Sequence, residues 1–220
     1  SVSFTEDGTD YLREFFVSHD DNVLVGRLTA DGAAKLNFDV RFVSKVGGTT
    51  VTVDNDTLKL CGEVSDNQLQ YASFLTVVPV DGTVTSNGSK LTVTGATEVH
   101  LYLSAATDYE NTFYNDEKTE DYYYRTGETA AELATRVKAD VDAATLKAYT
   151  AIKDVHLEDY QGLFNRVELD LGQTVSDKTT DQLLSAYKAK TASEAEQRQL
   201  EVMLFQYGRY LTISSSREDS

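Results

Sequence analysis

Lys35-Leu36-Asn37-Phe38-Asp39-Val40-Arg41-Phe42 alternates polar and apolar side chains at every step. A period of two sends successive side chains to opposite faces, so Leu36, Phe38, Val40 and Phe42 line a core while Asn37, Asp39 and Arg41 meet water. Outward from this strand the same period recurs at Val51/Val53, Leu58/Leu60, Leu91/Val93 and Val99/Leu101/Leu103. Asp-Gly, Gly-Gly and Asn-Gly pairs, which favour tight turns, separate these pieces. Tyr11–Ser18, Val23–Ala30 and Gln68–Val80 add longer segments rich in Val, Phe and Tyr. About ten short antiparallel strands at this spacing predict a β-sandwich.

Around Thr126 the period changes. Leu133, Val137 and Val141 recur every four residues, and Leu146, Tyr149, Ile152 and Tyr160 prolong the apolar stripe. Two linker helices, over 128–142 and 145–162, follow from that spacing. Val167, Leu169 and Leu171 alternate with acids in a short extended piece that stops at Gly172. Thr179 or Thr180 caps a helix reaching Ala189, and Ser193 with Glu196 forms a capping box that opens another. Leu200, Met203, Leu204, Tyr207 and Leu211 share one face of this last helix, with almost no chain left to cover it. Such a stripe suggests a segment cut from something larger.

The chain has 220 residues, with 20 Lys and Arg against 36 Asp and Glu, a formal net charge of −16. This excess of negative charge argues against nucleic acid as a partner and against an anionic membrane surface. No apolar run is long enough for membrane insertion, which needs about 18–20 residues. The one cysteine, Cys61, has no internal partner, and no Cys/His cluster marks a metal site. No cofactor is expected.

Compact catalytic motifs are absent: no G-x-S-x-G, H-E-x-x-H, Walker A loop or strand-linked G-x-G-x-x-G. His19, His100 and His156 fall in a turn, on the polar face of a strand and near a helix end, with no orienting partner evident in the sequence. Asp54-Asn55-Asp56 and Asp20-Asp21-Asn22 read as Asx turns and do not continue into a calcium loop. Asn87-Gly88-Ser89 is a glycosylation sequon that doubles as an Asn-Gly hairpin turn. Glu194, Glu196 and Glu201 sit on the first turns of a helix, where acids favour the dipole. The stretch 108–124 is unusual. It sets Tyr109, Phe113, Tyr114, Tyr122, Tyr123 and Tyr124 among six acids. Aromatic faces beside carboxylates suit sugar rings, so Tyr109, Tyr122, Tyr123 and Tyr124 are candidate sugar contacts; a loop whose tyrosines pack between sandwich and linker fits the same pattern.

A family resemblance appears in the second half. Asp159-Tyr160-Gln161-Gly162-Leu163-Phe164-Asn165-Arg166-Val167-Glu168-Leu169-Asp170-Leu171-Gly172 resembles the D-[HY]-Q-x-L-F-x-R-V-x-L-x-L-G segment of glycoside hydrolase family 95, the α-L-fucosidases and their relatives. Leu204-Phe205-Gln206-Tyr207-Gly208-Arg209-Tyr210-Leu211-Thr212-Ile213-Ser214-Ser215-Ser216-Arg217 is similar to that family's L-F-x-[YF]-G-R-Y-L-[LM]-I-[SA]-S-S-R segment. Upstream, Arg13-Glu14-Phe15-Phe16-Val17-Ser18-His19 and Asp21-Asn22-Val23-Leu24-Val25 are similar to its R-E-x-F-x-S-x-P-D-N-V-x-V stretch, with Asp20 where proline is usual.

The resemblance implies a mainly β chain with a helical C-terminal part. A super-sandwich domain over 1–126, lacking its first strands, would lead through a helical linker over 127–164. A strand and the first helices of a truncated (α/α)6 catalytic barrel would occupy 165–220. It implies a secreted or cell-surface enzyme that removes terminal α-L-fucose or a related sugar with inversion. Inversion uses a proton-donating carboxyl and a water-activating group about 6.5–9.5 Å apart. No catalytic residue is assigned within the 220; Ser216 and Arg217 are the substrate-proximal candidates, although helix C-terminus chemistry also accounts for them. The remaining barrel would pack on the last helix, and an oligosaccharide would be the partner. The alternative is a free-standing carbohydrate-binding or fibronectin-like adhesion module using loop 108–124.

Overall fold

The computed structural model describes residues 1–110 and 125–217. Among them lie ten strands: β1 (Val2–Glu6), β2 (Thr9–Ser18), β3 (Val23–Asp31), β4 (Leu36–Val40), β5 (Thr50–Asp54), β6 (Thr57–Glu63), β7 (Gln70–Pro79), β8 (Thr83–Asn87), β9 (Lys90–Ala96) and β10 (Glu98–Thr107). Helices α1 (Ala130–Thr145), α2 (Tyr149–Phe164), α3 (Thr180–Lys188) and α4 (Glu194–Ser215) follow. The strands form a seven-stranded sheet in the order β1-β2-β3-β10-β7-β6-β5 and a three-stranded sheet in the order β4-β9-β8. Every pairing is antiparallel.

The alternation in β4 does what its period requires. Leu36 is buried, and Phe38, Val40 and Phe42 pack against Leu58, Val77, Leu91, Val93 and Val99, which fill the space between the two sheets. Phe42 keeps its place in that core although β4 ends at Val40. A bulge interrupts the β4–β9 register, whose partners change from Leu36↔Ala96 to Phe38↔Val93. The extra residue lies on β9, where Gly95 adopts φ +73° and donates its N–H to Asn37 Oδ1 at 2.9 Å.

The other face of the large sheet is covered by helix. Leu133, Val137, Val141 and Ala144 of α1, with Tyr149 and Ile152 of α2, pack on Val23, Val25, Ala72, Phe74 and Tyr102. Each such fully buried aliphatic side chain contributes about 1.5–3 kcal/mol. The capping box of Thr129 and Glu132 starts α1. Leu146, expected on the apolar stripe of a second helix starting at 145, is instead the C-cap residue of α1 and 88% exposed, because α2 begins only at Tyr149.

The chain divides into two compact bodies, Ser1–His156 and Leu157–Ser220, with the boundary inside α2. Thus α1 and the first half of α2 count with the sheets. In the second body the expected extended piece Val167/Leu169/Leu171 is not a strand. Strands need a neighbour's N–H and C=O groups; here the Arg209 guanidinium donates to the carbonyls of Phe164 and Val167. Helix α4 opens at the Ser193–Glu196 capping box and contains no buried residue. No helix among the described residues is long and apolar enough to cross a membrane.

Candidate functional site

A dense polar constellation lies where the first turns of α2 meet the large sheet. Strand register sets Glu14 of β2 opposite Arg27 of β3, and Arg27 opposite His100 of β10. Arg27 Nε and Nη2 donate to Glu98 Oε1 and Oε2 at 3.0 and 2.8 Å. From α2, Lys153 Nζ donates to Glu14 Oε1 at 2.9 Å and the Tyr149 hydroxyl to Glu14 Oε2 at 3.2 Å. His100 Nε2 lies 2.7 Å from Glu98 Oε1, so the orienting partner that the sequence left unidentified is two residues away on the same strand face. The His100 ring stacks on Tyr149, centroids 5.1 Å apart.

These surroundings decide what the two carboxyls can do. The Lys153 hydrogen bond, helped by Tyr149 and Arg27, holds Glu14 below the ordinary carboxylate range. Arg27, helped by His100, does the same to Glu98. Burial, with Glu14 beside it, pushes the Tyr149 phenol up to about 12. A glycosidic general acid must hold a proton at the working pH, which requires burial or a neighbouring anion to raise its pKa. Glu14 and Glu98 have the opposite environment. The cluster is therefore an anionic pair locked by cations, and it fastens α2 to the sheet.

On α4 one acid is held in the same way. Glu196 is drawn down to about 2 by Lys178 and by the Ser193 N–H of its capping box. Glu194 forms an i,i+4 ion pair with Arg198.

Among the expected sugar contacts, Tyr109 is 56% exposed and bridges to Arg125, while Tyr122, Tyr123 and Tyr124 lie outside the described residues. Asp108, which opens the stretch, is a completely buried residue that sequence reasoning counted only as one more acid. Its Oδ1 accepts the Gln70 N–H at 2.8 Å, and its Oδ2 accepts Arg125 Nε at 2.6 Å. The Thr126 N–H donates to the Asp108 carbonyl at 2.8 Å. A run of acids gives no sign of which one is buried, because the partner stands seventeen positions along the chain.

Ser216 and Arg217 follow α4. Ser216 leaves the helix extended, at φ −142° and ψ 128°, with its N–H still donating to Thr212 O. Arg217 turns back to Asp159 of α2, donating from Nη1 and Nη2 to Oδ1 and Oδ2 at 2.8 and 2.7 Å. Beside that fork Tyr160 meets Tyr210 edge-on, and Arg209 lies over the Phe164 ring, 4.5 Å from its centroid. The two motif segments, 159–172 and 204–217, are thus brought together ring by ring and charge by charge.

Residues 1–112 match the model of the glycosyl hydrolase family 65 N-terminal domain, and residues 148–220 that of the glycosyl hydrolase family 95 catalytic domain. A probable alpha-fucosidase A of Aspergillus niger is 32% identical over 97% of this chain, and alpha-L-fucosidase 2 of Arabidopsis thaliana is 30% identical over 98%. The chain spans 27% of the length of each of these relatives. A putative kojibiose phosphorylase from the human microbiome shares the fold over 74% of this chain and 22% of its own, with TM-score 0.51 and 5% identity. The chain belongs to the glycosyl hydrolases, its first half to the N-terminal domain of the family 65 type and its last third to the catalytic domain of family 95.

Proposed function

We propose that these residues form the non-catalytic N-terminal portion of an inverting glycoside hydrolase that releases terminal α-L-fucose, or a related sugar, from oligosaccharides. The observation that carries this reading is the 32% identity to a probable alpha-fucosidase A over nearly the whole chain. The electrostatics support its non-catalytic part: Glu14, Glu98 and Glu196 are all held as anions. On this reading the proton donor and the water-activating group come from chain outside these 220 residues, and Ser216 and Arg217 lie on the approach to them.

Helices of the same catalytic barrel would cover the exposed apolar side of α3 and α4. A groove of about 550 Å³ runs there, lined by Leu184, Tyr187, Leu200, Met203, Leu204 and Tyr207. Leu204 and Tyr207 are 73% and 59% exposed, an arrangement suited to a further helix packing into the groove.

The test is hydrolysis of 2′-fucosyllactose by the 220-residue chain beside the protein extended through its full reading frame, followed by NMR. Activity only in the extended protein, with β-L-fucose appearing first, is the expected result. Turnover by the short chain overturns the non-catalytic assignment, and α-L-fucose as the first product overturns inversion.

A further inference from the structure

Arg217 was a substrate-proximal candidate on sequence grounds, yet its guanidinium is spent on a protein carboxylate. Both Nη atoms donate to Asp159 at 2.7–2.8 Å, and each side chain is only about a fifth exposed. A planar fork meeting a carboxylate in this way fixes direction as well as distance, which a lysine's point charge does not. The place where it acts matters. Ser216 is the first residue after α4 with extended backbone, so the chain direction is open to change there, and the next side chain pins it.

The pin is one of three ties along the same seam. Arg209 donates to the carbonyls of Phe164 and Val167 and to Gln206 Oε1, stacks on Phe164, and so holds the segment that leaves α2. Tyr160 fills the gap between Phe164 and Tyr210. Arg209 and Tyr160 tie α4 to α2 and the segment leaving it; Asp159 binds the chain after α4. Among these ties only the Asp159–Arg217 fork can set the course of the chain as it departs from α4.

We propose that Asp159 is a positioning residue for the glycosidase site: by holding Arg217 it aims the chain leaving α4 toward the substrate, and Arg217 itself does not bind sugar. The proposal rests on the reading that catalysis lies beyond Arg217. Substrate is then bound by other groups, so loosening the fork misplaces the reacting groups without weakening ground-state binding.

The experiment uses the full-length enzyme with Asp159→Asn, which keeps the shape and one acceptor, and Arg217→Lys, which keeps the charge and loses the fork. Two readouts are taken, steady-state kinetics on 2′-fucosyllactose and amide hydrogen exchange at Ser214–Ser216. Both variants should lose about tenfold to a hundredfold in kcat with KM within about twofold, a split that uniform loss of folded enzyme at titrated active-site concentration does not produce. Exchange at Ser214–Ser216 should rise about tenfold while exchange in α1 stays unchanged. Asp159→Glu should recover part of kcat. A loss confined to KM makes Arg217 a sugar contact and overturns the proposal, as do unchanged kcat and exchange. If the wild-type enzyme cleaves no α-L-fucoside, the functional reading fails by itself, and the exchange arm still decides whether the fork holds the helix exit.

Discussion

Tyr149 is the residue on which the first body's electrostatics converge: its hydroxyl donates to Glu14, its ring carries His100, and Arg27 sits 5.4 Å from its centroid. Its folded-state pKa of about 12 lies above the ordinary 10. The folded protein thus favours the neutral phenol. That stabilisation is complete below pH 10 and is lost as pH rises through 12, because the unfolded chain ionises first. Tyr149→Phe should cost about 1 kcal/mol at pH 7, for one hydrogen bond. Wild-type stability should then fall by about 2–3 kcal/mol relative to the variant between pH 10 and 12, so that the wild type ends as the less stable of the two. Urea unfolding of both proteins across pH 7–12 checks this, with the other tyrosines cancelling in the difference; parallel curves would show that burial and Glu14 do not raise the pKa of the phenol. Sequence placed Tyr149 on an apolar stripe, correctly, and gave no hint of the charges under it. Glu14, Arg27 and Glu98 come from three strands that become neighbours only through register.

Elements were legible where a local signal accompanied the period. α4 announces itself by a serine three residues before a glutamate, and that capping box forms; α1 was legible from its stripe alone, its Thr129–Glu132 box emerging only in the structure. β1 and β8 carried no such signal: short, largely exposed edge strands need only one polar-tolerant side, so their alternation is weak. The piece at 167–171 failed in the other direction, since alternation without a pairing partner makes no strand. The stripe of α1 gives the sharpest test. Leu133 is fully buried against the large sheet, and Leu133→Ala should cost about 2–5 kcal/mol through lost transfer energy and the cavity left behind. Leu146→Ala, the same chemical change thirteen residues on, should stay within about 0.5 kcal/mol because that side chain is already in water. Denaturant midpoints measured with unchanged m-values separate the two; equal losses would put Leu146 back on the stripe.

At the scale of the whole chain the two bodies bury their apolar surface very differently. The large sheet is covered on both faces, by the three-stranded sheet and by α1 with the start of α2. By contrast α4, twenty-two residues long, has no buried residue, and α3 buries only Leu183. Folding depends on apolar area removed from water, so a helix pair with an open apolar groove is weakly held unless something fills the groove. The proposed barrel would fill it, and one substitution then acts differently in two contexts. Leu204→Ser in the 220-residue chain should change stability by less than about 0.5 kcal/mol and reduce binding of a hydrophobic dye, since the side chain is exposed there. In the protein extended through its full reading frame the same change should cost about 2–5 kcal/mol, because Leu204 would then sit between packed helices. Thermal and urea unfolding of the four proteins measures both effects. A neutral outcome in both contexts would mean that the apolar face of α4 stays open to solvent and that the barrel, if present, packs elsewhere. A cost in both would mean that the face is already covered in the short chain by association with a second copy, which sedimentation equilibrium at two concentrations would reveal.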